Sequence, residues 1–228
     1  IHGARVYWNF YRKNTIMVQA LNTNSFGNWM YACMVGAYFL KYTADKLDIP
    51  EVNDYFMKAI NTICTRREYS IYENTKYGYA AIQNSSATLS NLDAIGTFGM
   101  NISEYYLMTG SKDARRMLHI LAEKIENNIP RYPDGTYNRV KTMWTDDMFM
   151  CLPFLVRLGV IFNEKKYLDE VYRQVVGFYE RMFMKDQGLY SHIYYPEEKV
   201  ANRIKGITVE ITCSDGTKMI KSSNKVIT

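Results

Sequence analysis

Trp144-Thr145-Asp146-Asp147 runs directly into Met148-Phe149-Met150-Cys151-Leu152-Pro153-Phe154-Leu155, so two adjacent carboxylates follow a tryptophan at the mouth of an apolar helix. A carboxyl group at such a junction can point into a cleft while Phe149, Met150 and Leu152 pack, and the indole offers a sugar ring a surface to stack on. Acid/base work on a carbohydrate is the chemistry these residue types suit. They also have a purely structural reading, with Thr145 as an N-cap and Asp146 and Asp147 complementing the helix dipole in the first turn. The dipole favours the ionised form. An acid at neutral pH would therefore need burial against Trp144, or a neighbouring carboxylate, to hold its proton.

Asp93, in Ser90-Asn91-Leu92-Asp93-Ala94-Ile95-Gly96, has the same two readings, the bland one being a capping arrangement completed by Ser90. Together the two aspartates say more: at equivalent places in neighbouring helical hairpins they would both face one end of the fold, as a paired acid/base device requires. His192, in Tyr190-Ser191-His192-Ile193-Tyr194-Tyr195, is a hydrogen-bonded structural histidine unless it meets Asp146 in space. Trp29, beside Asn28, reads by default as core or rim packing, and His119, among Leu118, Ile120 and Leu121, as structural. The Met and Tyr stripes follow helical spacing and need no ligand to explain them.

The elements that must position these residues are helices. Apolar positions recur at three- and four-residue intervals over Trp29–Tyr42, Val52–Ile63, Ile95–Met108, Asp113–Ile125, Met148–Ile161 and Tyr167–Phe183. Their connectors carry stop signals, as at Thr109-Gly110-Ser111, where Gly110 can end one helix and Ser111 cap the next. A repeat of about fifty residues is also visible. Asp93 and Asp146 each open a first helix, Gly110 and Gly159 each end one, and Asp134-Gly135-Thr136-Tyr137 answers Asp186-Gln187-Gly188-Leu189-Tyr190 after the second. A fainter unit ends near Tyr77-Gly78-Tyr79. Units of helix, short turn, helix and longer aromatic loop predict an all-α toroid of helical hairpins whose longer loops gather at one end. After Ala201 the texture changes, since Ile207 to Thr212 alternates like a strand and Ser214-Asp215-Gly216-Thr217 suits a hairpin turn before Met219-Ile220. The expected organisation is one helical domain over 1–200 and a divergent, polar, β-like tail over 201–228.

Composition narrows the function classes. With 47% hydrophobic and 22% charged residues, the 228-residue chain is ordinary globular protein with enough length for a sizeable core. The net charge of +5 is scattered rather than gathered into a tail, which argues against nucleic acid as a partner and is compatible with an anionic substrate. Cys33, Cys64, Cys151 and Cys213 lack metal-type spacing, and three lie in apolar helical stretches, so free thiols and a reducing, cytoplasmic setting are expected. No histidine pair has ligand spacing and no glycine-rich loop precedes a helix, so neither a metal nor a nucleotide cofactor is expected. No apolar run reaches membrane-spanning length. The chain opens on Ile1, as a fragment or processed product would.

From about Asn28 to Tyr195 the residues resemble the unsaturated glucuronyl and rhamnogalacturonyl hydrolases, glycoside hydrolase families 88 and 105, and are nearer to 105. Met143 to Gly159 is similar to the family's Trp-x-Asp-x-Leu-Phe/Tyr-Met followed by Pro-Phe-Leu. Asp146 takes the place of the catalytic aspartate there and Asp147 that of a variable neighbour. Leu92-Asp93-Ala94-Ile95 resembles the segment carrying the second active-site aspartate, and Tyr106 to Gly110 the usual Tyr-x-x-Thr-Gly turn. Gly188-Leu189-Tyr190-Ser191-His192 resembles Gly-Leu/Phe-x-x-His. The family often has a histidine in the loop before the catalytic helix; here Tyr137-Asn138-Arg139 stands there, so that one substrate contact is either lost or replaced by Asn138. Past Tyr195 the family's Trp-Gly-Arg-Gly-Asn-Gly-Trp-like motif is replaced by Arg203-Ile204-Lys205-Gly206.

The resemblance implies an (α/α)6 barrel, incomplete here by about its last third, that removes a terminal 4,5-unsaturated uronic acid from oligosaccharides left by pectin or glycosaminoglycan lyases. Asp146 would be acid and base, Asp93 its partner, and Trp144, His192, Trp29 and Asn138 the substrate contacts, with no cofactor. Two other readings stand beside it: an inactive truncated remnant, and a helical-repeat protein that binds a glycan or peptide without turning it over. A sugar epimerase on a related barrel is weaker, because the paired histidines are missing. Oligomeric state is not legible.

Overall fold

The computed structural model describes residues 31–78, 88–139, 142–196, 200–201, 208–212 and 218–222. Six long helices dominate them: α1 Tyr31–Leu47, α2 Pro50–Tyr77, α3 Leu92–Thr109, α4 Lys112–Asn127, α5 Asp146–Phe162 and α6 Lys165–Met182. Short strands follow the chain as β1 Met143–Trp144, β2 Phe183–Met184, β3 Leu189–Tyr190, β4 Ile193–Tyr195, β5 Val200–Ala201, β6 Thr208–Thr212 and β7 Lys218–Ser222. The described residues fall into two compact units, one within Ile1–Ile129 and Phe149–Val171, the other within Pro130–Met148 and Tyr172–Thr228.

In the first unit α1 packs on α2 and α3 on α4, with α3 also against α1 and α2. Its core is built from Met34, Phe56, Ile60, Ile63, Ile95, Phe98, Met117, Leu121 and Phe154. Helix α2 outruns its expected end at Ile63 by fourteen residues, because its inward stripe continues as Arg67 and Ser70 rather than as apolar side chains. It stops at Gly78, whose φ of 76° places it in the left-handed region. Gly110 and Ser111 behave as the connector chemistry predicts: Gly110 has φ 64°, and the Ser111 hydroxyl accepts the Ala114 N–H. At α3 the cap is Asn91, whose Oδ1 accepts the Ala94 N–H at 2.8 Å, so the expected box between Ser90 and Asp93 does not form. Asn91 stands one residue outside the helix, where an N-cap must be.

Polar side chains tie these helices together. Asn101 Nδ2 donates to Met34 O at 2.8 Å, and Arg157 reaches Glu104 and the Tyr38 hydroxyl. His119 stacks on Phe162 with centroids 4.3 Å apart, the structural role expected of it. Cys64 and Cys151 are buried, Cys33 is half-buried, and none of the three forms a disulfide among the described residues; Cys213 lies outside them. Burial pushes the Cys64 thiol up to about 12, which makes it a poor nucleophile.

Helix α3 approaches α5 backbone to backbone. A Cβ on Gly96 would lie 1.8 Å from the Met150 carbonyl oxygen, and one on Gly99 would lie 2.4 Å from the Phe154 ring. Gly96→Ala must push the helices apart, and we expect a loss of about 1–3 kcal/mol in urea denaturation. Gly110→Ala, strained by its φ but with open space around it, should cost less.

In the second unit β1, β4 and β5 form one small antiparallel sheet and β2 pairs with β3. The tail forms the expected hairpin: β6 pairs antiparallel with β7, Thr208 opposite Ser222 and Thr212 opposite Lys218. The turn expected at Ser214 to Thr217 lies outside the described residues.

Candidate active site

Within the second unit, the loop before α5 is pinned to α6. The Gln174 side chain accepts the Tyr137 N–H at 2.8 Å and donates to Gly135 O at 2.9 Å. Asp134 closes the turn by accepting the Thr136 N–H at 3.0 Å, and Arg181 holds its other oxygen at 2.7 Å. Gly177 leaves the space that Thr136 fills, since a Cβ there would lie 2.0 Å from the threonine hydroxyl. This loop delivers Asn138 and Arg139. Asn138 is buried, and its backbone N–H donates to Pro130 O at 3.0 Å.

The next segment is held from the other side. Strand β1 pairs with β4, Trp144 opposite Ile193 and Met143 opposite Tyr194. Immediately after it, Thr145 N–H donates to His192 O at 3.0 Å and the Thr145 hydroxyl donates to Ser191 O. That hydroxyl is thus spent on joining the two segments, not on the helix cap expected of it; the Thr145 carbonyl begins α5 by accepting the Met148 N–H at 3.1 Å. Ser191 is fixed in turn, its N–H donating to Met182 O and its hydroxyl to Ile193 O.

This scaffold brings Asp146, His192 and Trp144 together. His192 Nε2 lies 3.1 Å from Asp146 Oδ2, and the imidazole stands edge-on to the Trp144 indole with centroids 5.1 Å apart. The condition set for an active-site role of His192, contact with Asp146, is met. Burial against Trp144 does not occur: the Asp146 side chain is 41% exposed and that of His192 53%. The carboxylate's neighbour is an imidazole that can carry a proton. A carboxylate and imidazole in contact, open to solvent and flanked by an indole, can exchange a proton with a sugar resting on the ring.

Asp147 does something different. It is 1% exposed and receives Arg139 through two bonds, Nε to Oδ2 at 3.0 Å and Nη2 to Oδ1 at 2.7 Å. The Arg139 guanidinium also lies over Trp144, 5.4 Å from the ring centre, and the indole Nε1–H donates to Thr142 Oγ1 at 2.9 Å. Arg139, Thr142 and the buried role of Asp147 escaped the sequence reading. The only available signal was an arginine and an aspartate eight residues apart across a loop, a spacing that matches no regular period.

Asp93 belongs to the first unit, in the opening turn of α3, where it is 9% exposed and its carbonyl accepts the Thr97 hydroxyl at 2.6 Å. Trp29 lies outside the described residues. Among the described residues no group of three or more His, Cys, Asp or Glu side chains could hold a metal ion, and no helix is long and apolar enough to cross a membrane.

The family model for Glycosyl Hydrolase Family 88 matches residues 12–208. Among solved structures, a possible member of family GH105 from Klebsiella pneumoniae superposes with a TM-score of 0.59 at 17% identity, covering 76% of this chain and 42% of its own. A family 105 glycoside hydrolase from C. acetobutylicum gives 0.60 at 17%, covering 79% and 48%. A polysaccharide lyase gives 0.50 at 15%, covering 83% and 50%. No curated protein sequence matches. At such identities the likeness shows the fold alone, the α/α-toroid type that the hairpin repeat predicts. The chain spans no more than half the length of these structures. A hydrolase and a lyase share the architecture, so the chemistry must be argued from the site.

Proposed function

Since this chain belongs to glycosyl hydrolase family 88, we propose that it acts on a terminal 4,5-unsaturated uronic acid of lyase-generated oligosaccharides, of the pectin or rhamnogalacturonan type, with Asp146 as both acid and base. The observation that carries this reading is the Asp146–His192 contact of 3.1 Å beside Trp144. Asp146 donates its proton to C4 of the enol ether, and positive charge develops at C5 and the ring oxygen. Water, deprotonated by the same carboxylate, adds at C5, and the resulting hemiketal opens and releases the remaining sugar. The water proton restores the acid form of Asp146 for the next turnover, and His192, 3.1 Å away, holds the carboxyl group in place. Asp93 is the proposed second carboxylate, binding ring hydroxyls, with Trp144, Trp29 and Asn138 as further substrate contacts.

The exposure of the pair favours a second reading, glycan binding without turnover, because an open site does not exclude water around the reacting atoms. The deciding experiment follows the near-ultraviolet absorbance of the conjugated uronate in unsaturated rhamnogalacturonan and glucuronan disaccharides. Loss of absorbance with the protein supports hydration. A flat trace from folded protein that still binds the disaccharide by calorimetry supports binding alone.

A further inference from the structure

We infer that Arg139 and Asp147 form a positioning pair that fixes the Trp144 indole as a sugar platform, and that they act on substrate binding rather than on the proton transfer; the inference rests on the carbohydrate reading of this site. A buried carboxylate is costly, and an apolar pair of similar volume would hold a loop to a helix equally well. Here the cost accompanies a geometry that an apolar pair cannot supply. Asp147, 1% exposed, takes two guanidinium nitrogens at 3.0 and 2.7 Å and so sets the plane of Arg139. Arg139, 31% exposed, places its guanidinium carbon over Trp144, 5.4 Å from the ring centre. A planar fork can hold a carboxylate and cover an aromatic face at once, which a lysine ammonium cannot.

Three contacts then define the indole: Arg139 over its face, Thr142 accepting its N–H at 2.9 Å, and the His192 ring against it. Asp146 and His192 are held independently of Arg139, through the Thr145 N–H on His192 O at 3.0 Å, the Thr145 hydroxyl on Ser191 O, and the β1–β4 register. Loss of the guanidinium therefore releases the platform and leaves the acid in place. The two neighbouring aspartates divide the work: Asp146 faces the substrate, while Asp147 holds the arginine that holds the indole.

The test compares wild type, Arg139→Lys, and Arg139→Gln combined with Asp147→Asn, which removes both charges and leaves no buried carboxylate unpaired should Arg139→Lys fail to fold. The first readout is the near-ultraviolet circular dichroism of Trp144, isolated by substituting Phe for Trp8 and Trp29, the other two of the three tryptophans. It requires no turnover. The second, measured with Trp8 and Trp29 retained, is the split between KM and kcat on the unsaturated disaccharide. The expected result is loss of most of the Trp144 band and a rise in KM of about tenfold, with kcat held within about threefold. An unchanged band with unchanged KM in a folded variant overturns the inference, as does a fall in kcat at constant KM. If wild type turns over no substrate, the hydrolase reading falls, and the Trp144 band together with disaccharide affinity still decides the role of Arg139.

Discussion

Asp146→Asn should lower hydration of an unsaturated uronate by about 10³-fold while leaving the fold intact, a loss typical of removing a positioned proton donor. The asparagine keeps the size of the side chain and can still approach His192, so binding should survive. The effect belongs in kcat, and the decay of uronate absorbance under saturating disaccharide measures it. His192→Gln should lower the rate less, because the imidazole contacts the carboxyl group rather than the double bond. The expectation fails if Asp146→Asn retains more than about a tenth of the wild-type rate; another group would then have to supply the proton. Asp93→Asn is the companion measurement. As a ring-hydroxyl contact Asp93 should affect KM and kcat together, a pattern distinct from that of Asp146.

The helices were legible in the chain because their buried stripes are apolar. Six periodic segments correspond to the six helices among the described residues, and the glycine and serine at 110 and 111 perform the stop and start that their chemistry suggests. Legibility failed where polar residues face inward: α2 continues past Ile63 on Arg67 and Ser70, and periodicity of apolar residues cannot follow it there. Caps failed by one residue at α3, where Ser90, Asn91 and Asp93 are all good cap residues and only backbone geometry selects Asn91. At the site, Trp144 and His192 could be singled out because their types are rare in this chain, and Asp146 because it follows the tryptophan at the mouth of an apolar helix. Arg139 could not: its meaning lies in two partners, one eight residues ahead and one an aromatic face, joined through a loop whose path the sequence does not encode by any repeat. The burial of Asp147 next to an exposed Asp146 is likewise a product of the helix start, where successive side chains diverge by about 100°.

Asp147→Ala should destabilise the second unit by about 3 kcal/mol, toward the low end of what breaking a buried ion pair costs. Asp147 itself is 1% exposed, but its partner keeps 31%, so the guanidinium can recover part of its hydration when the carboxylate is removed. Arg139→Ala should cost more by the same logic, for it takes the arginine from a carboxylate that is only 1% exposed. Urea denaturation of both single variants and of Arg139→Met combined with Asp147→Leu separates the terms. If desolvation nearly cancels the attraction, the apolar double variant should recover most of the lost stability and can exceed wild type. That recovery would sharpen the functional argument: a pair replaceable without loss of stability is not there for stability. The same double variant should still bind the disaccharide weakly, because a methionine over Trp144 supplies bulk but no fixed plane. Stability restored and affinity not restored would place the value of the buried charge in the position of the indole.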